Sequence, residues 1–197
     1  MMTPTEWVVA TARAMNCRRY LELGVASGFT LDLLSRFCRA VGVDIEDCRE
    51  YFGGELLVMS TDAFFVVNKD FYDLIFVDAF HECKQVLRDF ENSLRWLSRG
   101  GVILIHDTDP AEARYAVPET CGNVWKIHGH LEERRDVRWV TLPLLGSGMT
   151  VVTRADNRRF PYLRRDRPVA TSTNVVGGGA DEGPDARGPR PFSTGEE

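Results

Sequence analysis

The sequence predicts an α/β fold: an open, mostly parallel sheet with helices on both faces. Three observations carry that expectation. Short apolar runs alternate with stretches of helical periodicity along most of the chain. Two of the runs, Tyr72-Asp-Leu-Ile-Phe-Val-Asp78 and Val102-Ile-Leu-Ile105, are nearly all apolar, as strands buried on both faces must be. The connections between runs are short, which implies right-handed crossovers between parallel strands.

Thr3-Pro4-Thr5-Glu6 is a capping box with proline at the first helical position, so a helix is expected from there to about Met15. Tyr20-Leu-Glu-Leu-Gly24 reads as a strand, residues 31–40 as an amphipathic helix, and Ala40-Val-Gly-Val-Asp44 as a second strand. Leu56-Leu-Val-Met-Ser60 is the third, followed by a short helix, and residues 72–78 are the fourth. From 82 to 97, Val86, Leu87, Phe90, Leu94 and Leu97 form one helical face, and Arg99-Gly100-Gly101 stops it before the fifth strand at 102–105. Residues 137–142 and 149–153 flank a turn containing proline and glycine, a closing antiparallel hairpin.

The chain has 197 residues, 44% hydrophobic and 27% charged, enough for one sizeable core. A formal net charge of -5 argues against a generic nucleic-acid binder, which leans on surplus lysine and arginine. The N-terminus lacks the basic flank and apolar core of a signal peptide, and no run is long enough to cross a bilayer, so a cytoplasmic protein without a membrane partner is expected. Five cysteines without Cys-x-x-Cys spacing suggest neither a disulfide framework nor a zinc knuckle, and Cys83, beside a polar strand end, is expected to be passive. After Arg154 the composition changes. Residues 155–170 form a basic-aromatic extension, and 171–197, rich in Gly, Pro, Ser, Thr and acids, are expected to be disordered.

In an open parallel sheet, ligands bind outside the carboxyl ends of the strands. Here those ends carry Glu22, Asp44, Asp62, Asp78 and Asp107, where burial disfavours charge unless a ligand, metal or water compensates. Gly24 and Gly28 let the backbone turn tightly and approach a ligand, although the spacing is not the Gly-x-Gly-x-x-Gly of a pyrophosphate cradle; Glu22 suits a ligand bearing an ammonium group. Asp44 follows Gly24 by 20 residues, close to the separation of about 20 at which an acid meets ribose hydroxyls, and Asp62 offers an acceptor for an adenine amine. Each has a plainer alternative, since Asp44 and Asp62 also suit helix caps.

Taken together, Leu21-Glu22-Leu-Gly24-Val-Ala-Ser27-Gly28, Val41-Gly-Val-Asp44, Asp62-Ala63, Tyr72 to Asp78 and Leu97 to Ile105 resemble the class I S-adenosylmethionine-dependent methyltransferases. The resemblance spans roughly residues 18–154 and implies a Rossmann-like seven-stranded sheet with a reversed last strand, in a domain over 1–154. It implies that Glu22, Gly24, Ser27, Gly28, Asp44, Asp62 and Asp78 bind S-adenosylmethionine. Within the class, Asp78-x-x-His81 and His106-Asp107-Thr108 look like a group of small-molecule O-methyltransferases, some of whose relatives hold a divalent metal with acids at these two strand ends. By position Asp78 and Asp107 match those ligands. His106 departs from the pattern, standing where metal-dependent relatives carry a second acid, and so does Phe80.

Mg2+ wants hard oxygen ligands, and two carboxylates leave it room for waters and a substrate diol. Without a metal, His81 or His106 is the candidate general base, because a histidine's ordinary pKa of about 6.5 suits proton removal at neutral pH. The expected activity is methyl transfer to a hydroxyl of a small-molecule acceptor. The alternatives are a methyltransferase acting on protein or nucleic acid, with the basic-aromatic extension as its footprint, or a scaffold that keeps the fold without turnover. Connections after the second and third strands are too short for a lid, so the N-terminal helix, residues 111–132 or a second subunit of a homo-oligomer must finish the acceptor pocket. In that segment Trp125, His128 and His130 are candidate lining.

Overall fold

A computed structural model describes residues 2–143 and 147–160. Helix α1 (Pro4–Ala14) opens on the expected capping box: Thr3 Oγ1 accepts from the Glu6 N–H at 3.2 Å, and the Glu6 carboxylate accepts from the Thr3 N–H at 2.7 Å. There follow β1 (Arg19–Leu23), α2 (Phe29–Ser35), β2 (Arg39–Asp44), β3 (Glu55–Val58), α3 (Thr61–Val67), β4 (Tyr72–Val77), α4 (Cys83–Trp96) and β5 (Leu97–His106). Two single-turn 3₁₀ helices lead into α5 (Ile127–Glu133), and β6 (Val137–Leu142) and β7 (Met149–Arg154) close the sheet.

The seven strands lie in the order β3-β2-β1-β4-β5-β7-β6. Strands β1 to β5 pair in parallel, β7 runs antiparallel to β5, and β6 antiparallel to β7. This is the Rossmann-like sheet with its reversed last strand.

Alternation along the strands builds two cores. Leu21, Leu23, Ile75, Val77, Ile103 and Ile105 pack with Phe64, Val86, Phe90 and Ile127, placing α3, α4 and α5 on one face. Tyr20, Leu74, Phe76, Val102 and Leu104 pack with Val8, Ala12, Leu31 and Leu34 of α1 and α2 on the other. Each of these Leu, Ile, Val and Phe side chains contributes about 1.5–3 kcal/mol when fully buried, and a one-residue slip of a strand would send its side chains to the opposite face.

Three elements differ from expectation by more than one residue. Helix α2 starts two residues earlier than the predicted 31–40 and ends at Ser35. The Phe37 and Cys38 N–H groups both donate to the Leu34 carbonyl, and Arg39 is committed to pairing with Arg19. Strand β5 begins at Leu97 rather than 102, because Leu97 pairs with Tyr72 and a shift in register then takes up the residues before Val102. Thus Arg99-Gly100-Gly101 is the irregular start of a strand. Ser60, expected in β3, instead caps α3 by accepting from the Ala63 N–H.

The packed chain continues past β7. Asn157 is buried and donates to the Gly101 carbonyl, and Arg159 donates to the Met15 carbonyl at 2.8 Å. Residues 161–170 of the basic-aromatic extension and the tail 171–197 lie outside the described residues. Among the described residues, no helix is long and apolar enough to cross a membrane.

Candidate active site

Because β1 to β5 are parallel, their carboxyl ends share one edge of the sheet, and two cavities open there. The first, about 590 Å³ counting its open mouth, lies between the ends of β1, β2 and β4 and the start of α3. Gly24, Asp44 and Asp62 line it, together with Ile45, Phe80 and Gln85. Backbone in the left-handed region at Gly24 (φ 87°), Ala26 (φ 44°) and Gly28 (φ 81°) folds the loop after β1 back on itself.

Asp44 ties that loop down. Its Oδ2 accepts from the Val25 and Ala26 N–H groups at 2.7 and 3.1 Å, and its Oδ1 from Glu46 at 3.2 Å. Three of roughly four acceptor positions on the carboxylate are thereby in use, leaving about one for a ligand hydroxyl. Ser27 and Gly28 stand outside the lining of the cavity. Ser27 contributes its carbonyl, which accepts from Glu50 and Tyr51.

Glu22 is 3% exposed, and its Oε2 has no hydrogen-bond partner among the described residues. Burial pushes its carboxyl well up; the Tyr20 hydroxyl opposes this, and Asp78 and Asp44 add to it. A buried acid without a counter-charge is costly, so this position suits a cationic group.

The second cavity, about 1120 Å³ with its mouth, is lined by Asp78, His81, His106 and Asp107 and walled by Pro4, Tyr115, Cys121 and Ser147. The segment 78–81 divides the two spaces: Ala79 and Phe80 face the first, Asp78 and His81 the second. His106 Nδ1 lies 3.0 Å from Asp78 Oδ1 and 3.3 Å from Asp107 Oδ1, while its Nε2 meets Ser147 Oγ at 3.0 Å. Burial alone would lower the His106 pKa, but the two carboxylates overcome it and hold the imidazole at about 10. A histidine that keeps its proton at neutral pH is a poor general base. Of the two candidates named from the sequence, the geometry therefore counts against His106.

Asp107 is 6% exposed and adopts φ 59°, a conformation that aspartate tolerates better than most residues but that still costs about 1–3 kcal/mol. Its Oδ2 is 3.1 Å from His81 Nε2. Burial works against its charge, but His106, Ser147 and His81 outweigh that and hold the carboxyl below its ordinary value. Asp78 goes the other way, its carboxyl raised by burial despite His106. Ligand atoms of Asp78, His81 and Asp107 lie within 4.8 Å of one another, a spacing that fits one divalent cation. The second ring nitrogen of His81 faces the Pro118 carbonyl at 3.4 Å. With the proton assigned there, the Nε2 lone pair faces the carboxylate, an arrangement that asks for a proton or cation between them.

Several participants escaped the sequence reading. Ser147 was visible only as part of a turn. Its carbonyl accepts from the Asp109 N–H while its hydroxyl reaches His106, so the hairpin turn docks on the end of β5. The 121–123 turn braces His81, with the Asn123 N–H donating to the His81 carbonyl and its side chain accepting from the Cys83 N–H. Burial raises the Cys83 thiol, as suits a passive residue.

The candidates Trp125, His128 and His130 do not line the cavity. Trp125 lies exposed beneath Lys126, His130 pairs with Glu91 at 2.7 Å, and His128 stacks on Trp139 at 5.2 Å. Segment 111–132 does contribute a wall, through Tyr115 and Cys121 instead. Irregular backbone has no period from which a facing residue can be read.

His128 anchors a buried hydroxyl chain. Thr150 Oγ1 lies 2.8 Å from both Thr108 and Thr141, and His128 Nε2 is 2.9 Å from Thr141. This chain fixes the residue after Asp107. Thr150→Val, which keeps shape and removes the hydroxyl, is expected to cost about 1–3 kcal/mol by leaving buried partners unsatisfied, measured by urea denaturation. An unchanged midpoint would contradict that account.

A family model described as a methyltransferase domain matches residues 53–108. No curated protein matches the sequence. Among solved structures, the O-methyltransferase TomG from Streptomyces achromogenes, involved in tomaymycin synthesis and complexed with S-adenosylmethionine, superimposes with a TM-score of 0.58 at 19% identity, covering 76% of this chain and 78% of that one. The S-adenosylhomocysteine-bound methyltransferase PaMTH1 of Podospora anserina gives 0.60 at 22% identity, covering 77% and 78%. An O-methyltransferase from Bacillus cereus, bound to S-adenosylhomocysteine, gives 0.59 at 15%, covering 78% and 82%. At these identities the likeness establishes the fold.

Proposed function

We propose that this chain, which has the fold of class I S-adenosylmethionine-dependent methyltransferases, transfers a methyl group from S-adenosylmethionine to a hydroxyl of a small-molecule acceptor. One observation carries the reading: residues 78–81 separate a cleft suited to an adenosyl group from a second cavity holding a carboxylate-histidine cluster. S-adenosylmethionine, when bound, supplies an electrophilic methyl group. Two features fit it: Gly24 lines the cleft with backbone alone, packed so closely on Asp78 and Ala79 that a side chain there would clash, and Glu22, two residues earlier and outside the lining of the cleft, offers an unpartnered buried oxygen for the ammonium. Asp62 offers its carboxylate at the adenine end, and the remaining acceptor position of Asp44 serves the ribose.

In the second cavity the acceptor hydroxyl gives its proton to His81 Nε2, and Asp107 stabilises the imidazolium that forms. His106, protonated between Asp78 and Asp107, keeps both carboxylates in place. In the alternative to that route, Asp78, His81 and Asp107 would hold a divalent cation, which would take the place of the proton on His81 and, when bound, lower the pKa of a coordinated hydroxyl. Two carboxylate oxygens suit Mg2+, while the imidazole nitrogen favours Mn2+ or a later transition metal.

The test is methyl transfer to a panel of hydroxyl-bearing metabolites, with Mg2+, with Mn2+ and with excess chelator. Methylated product is expected, at a rate that the metal raises. Full activity in chelator would remove the metal from the reading, and failure of the protein to bind S-adenosylhomocysteine would overturn the function itself.

A further inference from the structure

Beneath the first cavity lies a fully buried acid that the mechanism above does not use. Asp89, in the middle of α4, is 0% exposed, and its Oδ2 has no hydrogen-bond partner among the described residues. Its Oδ1 accepts from Gln85 Nε2 at 3.1 Å, one helical turn back. The same amide nitrogen lies 3.1 Å from Thr61 Oγ1 and 3.4 Å from Asp62 Oδ1, so it joins α4 to the first turn of α3. On the other side of the amide, Arg88 donates to Gln85 Oε1 and its guanidinium stands 3.5 Å from Asp62 Oδ2. Thr61, Asp62 and Gln85 all line the cavity.

A glutamine amide can flip and exchange its donor and acceptor ends. Asp89 accepts and does not donate when ionised, so it commits the amino end of Gln85 toward Thr61 and Asp62. Were the amide reversed, its carbonyl would face the Asp62 carboxylate and push it away. Burial raises the Asp89 carboxyl to about 6, with Thr61 and Gln85 pulling it part of the way back, Asp62 adding to the rise and Arg88 opposing it. The group is still largely ionised at neutral pH. A side chain present only for packing would be apolar at such a depth.

We infer that Asp89 is a positioning residue which, by fixing the Gln85 amide, holds Asp62 as a hydrogen-bond acceptor and makes the cleft select a 6-aminopurine over a 6-oxopurine. This deepens the methyltransferase reading and rests on it, since it takes the Asp62 end as the purine end. An acceptor aimed at position 6 attracts the exocyclic amine of adenine and repels the oxygen of hypoxanthine.

Calorimetry with S-adenosylhomocysteine and with its 6-oxo analogue S-inosylhomocysteine tests this on the whole chain. The wild-type protein is expected to bind the adenosyl compound at least about tenfold more tightly, the scale of one hydrogen bond gained or lost. Asp89→Leu should lose about tenfold in affinity for the adenosyl compound and little for the inosyl one, bringing the ratio near one. Asp89→Asn, whose amide oxygen still accepts from Gln85, should keep most of the discrimination. If Asp89→Leu does not fold, Gln85→Leu makes the same comparison from the cavity wall. Loss of affinity in equal proportion for both compounds, or an unchanged ratio, overturns the inference and leaves the function standing. A wild-type protein that binds neither compound overturns both.

Discussion

Asp107→Asn is expected to lower methyl transfer by about 10²–10⁴-fold, the usual range for removing acid-base assistance, while S-adenosylhomocysteine affinity stays within about twofold. Asparagine is the informative substitution because it keeps the size of the side chain and also tolerates the left-handed backbone at this position (φ 59°). Alanine would add backbone strain to the chemical loss and confuse the two. What asparagine removes is the negative charge shared between His81 at 3.1 Å and His106 at 3.3 Å. His81 then loses the partner that stabilises its protonated form, and the candidate cation site loses one of its two carboxylates. Cofactor affinity is spared because Asp107 lines the second cavity and not the first. Rates within about threefold of wild type would remove Asp107 from the mechanism.

Gly24→Ala should fail differently, losing cofactor binding and stability together. A Cβ there would stand 2.2 Å from the Asp78 carbonyl oxygen and 2.5 Å from the Ala79 Cα, both backbone atoms that cannot swing aside. It would also sit at φ 87°, where a side chain is strained by about 1–2 kcal/mol. Overpacking adds about 1–3 kcal/mol, so a total on the order of 2–5 kcal/mol is expected in urea denaturation. The segment pushed is the one dividing the two cavities, so S-adenosylhomocysteine binding should fall with stability. Gly100→Ala is the control: a Cβ there meets nothing within 4 Å, and the variant should be close to neutral. Wild-type affinity and midpoint in Gly24→Ala would show that the loop is not set by this close approach.

What was legible in the sequence follows from periodicity. Strands with alternating partners on two faces, such as Tyr20 to Leu23 and Val102 to Ile105, announce a doubly covered sheet, and acids at their carboxyl ends announce the edge where ligands bind. Where local signals competed, boundaries moved: residues 36–40 continue a helical pattern, but a turn at 36–38 leads Arg39 and Ala40 into pairing with Arg19 and Tyr20. The partition of the strand-end acids between two cavities was not legible, because it depends on where segment 78–81 passes. Nor was the fate of His106. Its proton is held by Asp78, 28 residues away, and Asp107, while Ser147, 41 residues away, meets its other nitrogen. Asp89 reads in the sequence as a charge on an amphipathic helix, and only its burial against Gln85 gives it meaning.

The bond from Arg159 to the Met15 carbonyl joins residues 144 positions apart. It secures the end of the helix whose first residue, Pro4, forms part of the wall of the second cavity. During synthesis, α1 is made first but cannot acquire this anchor until the last strand has left the ribosome. One wall of the second cavity is therefore braced from near both ends of the described chain, and a chain halted anywhere before Arg159 would hold that wall by the packing of α1 on α2 without this tie.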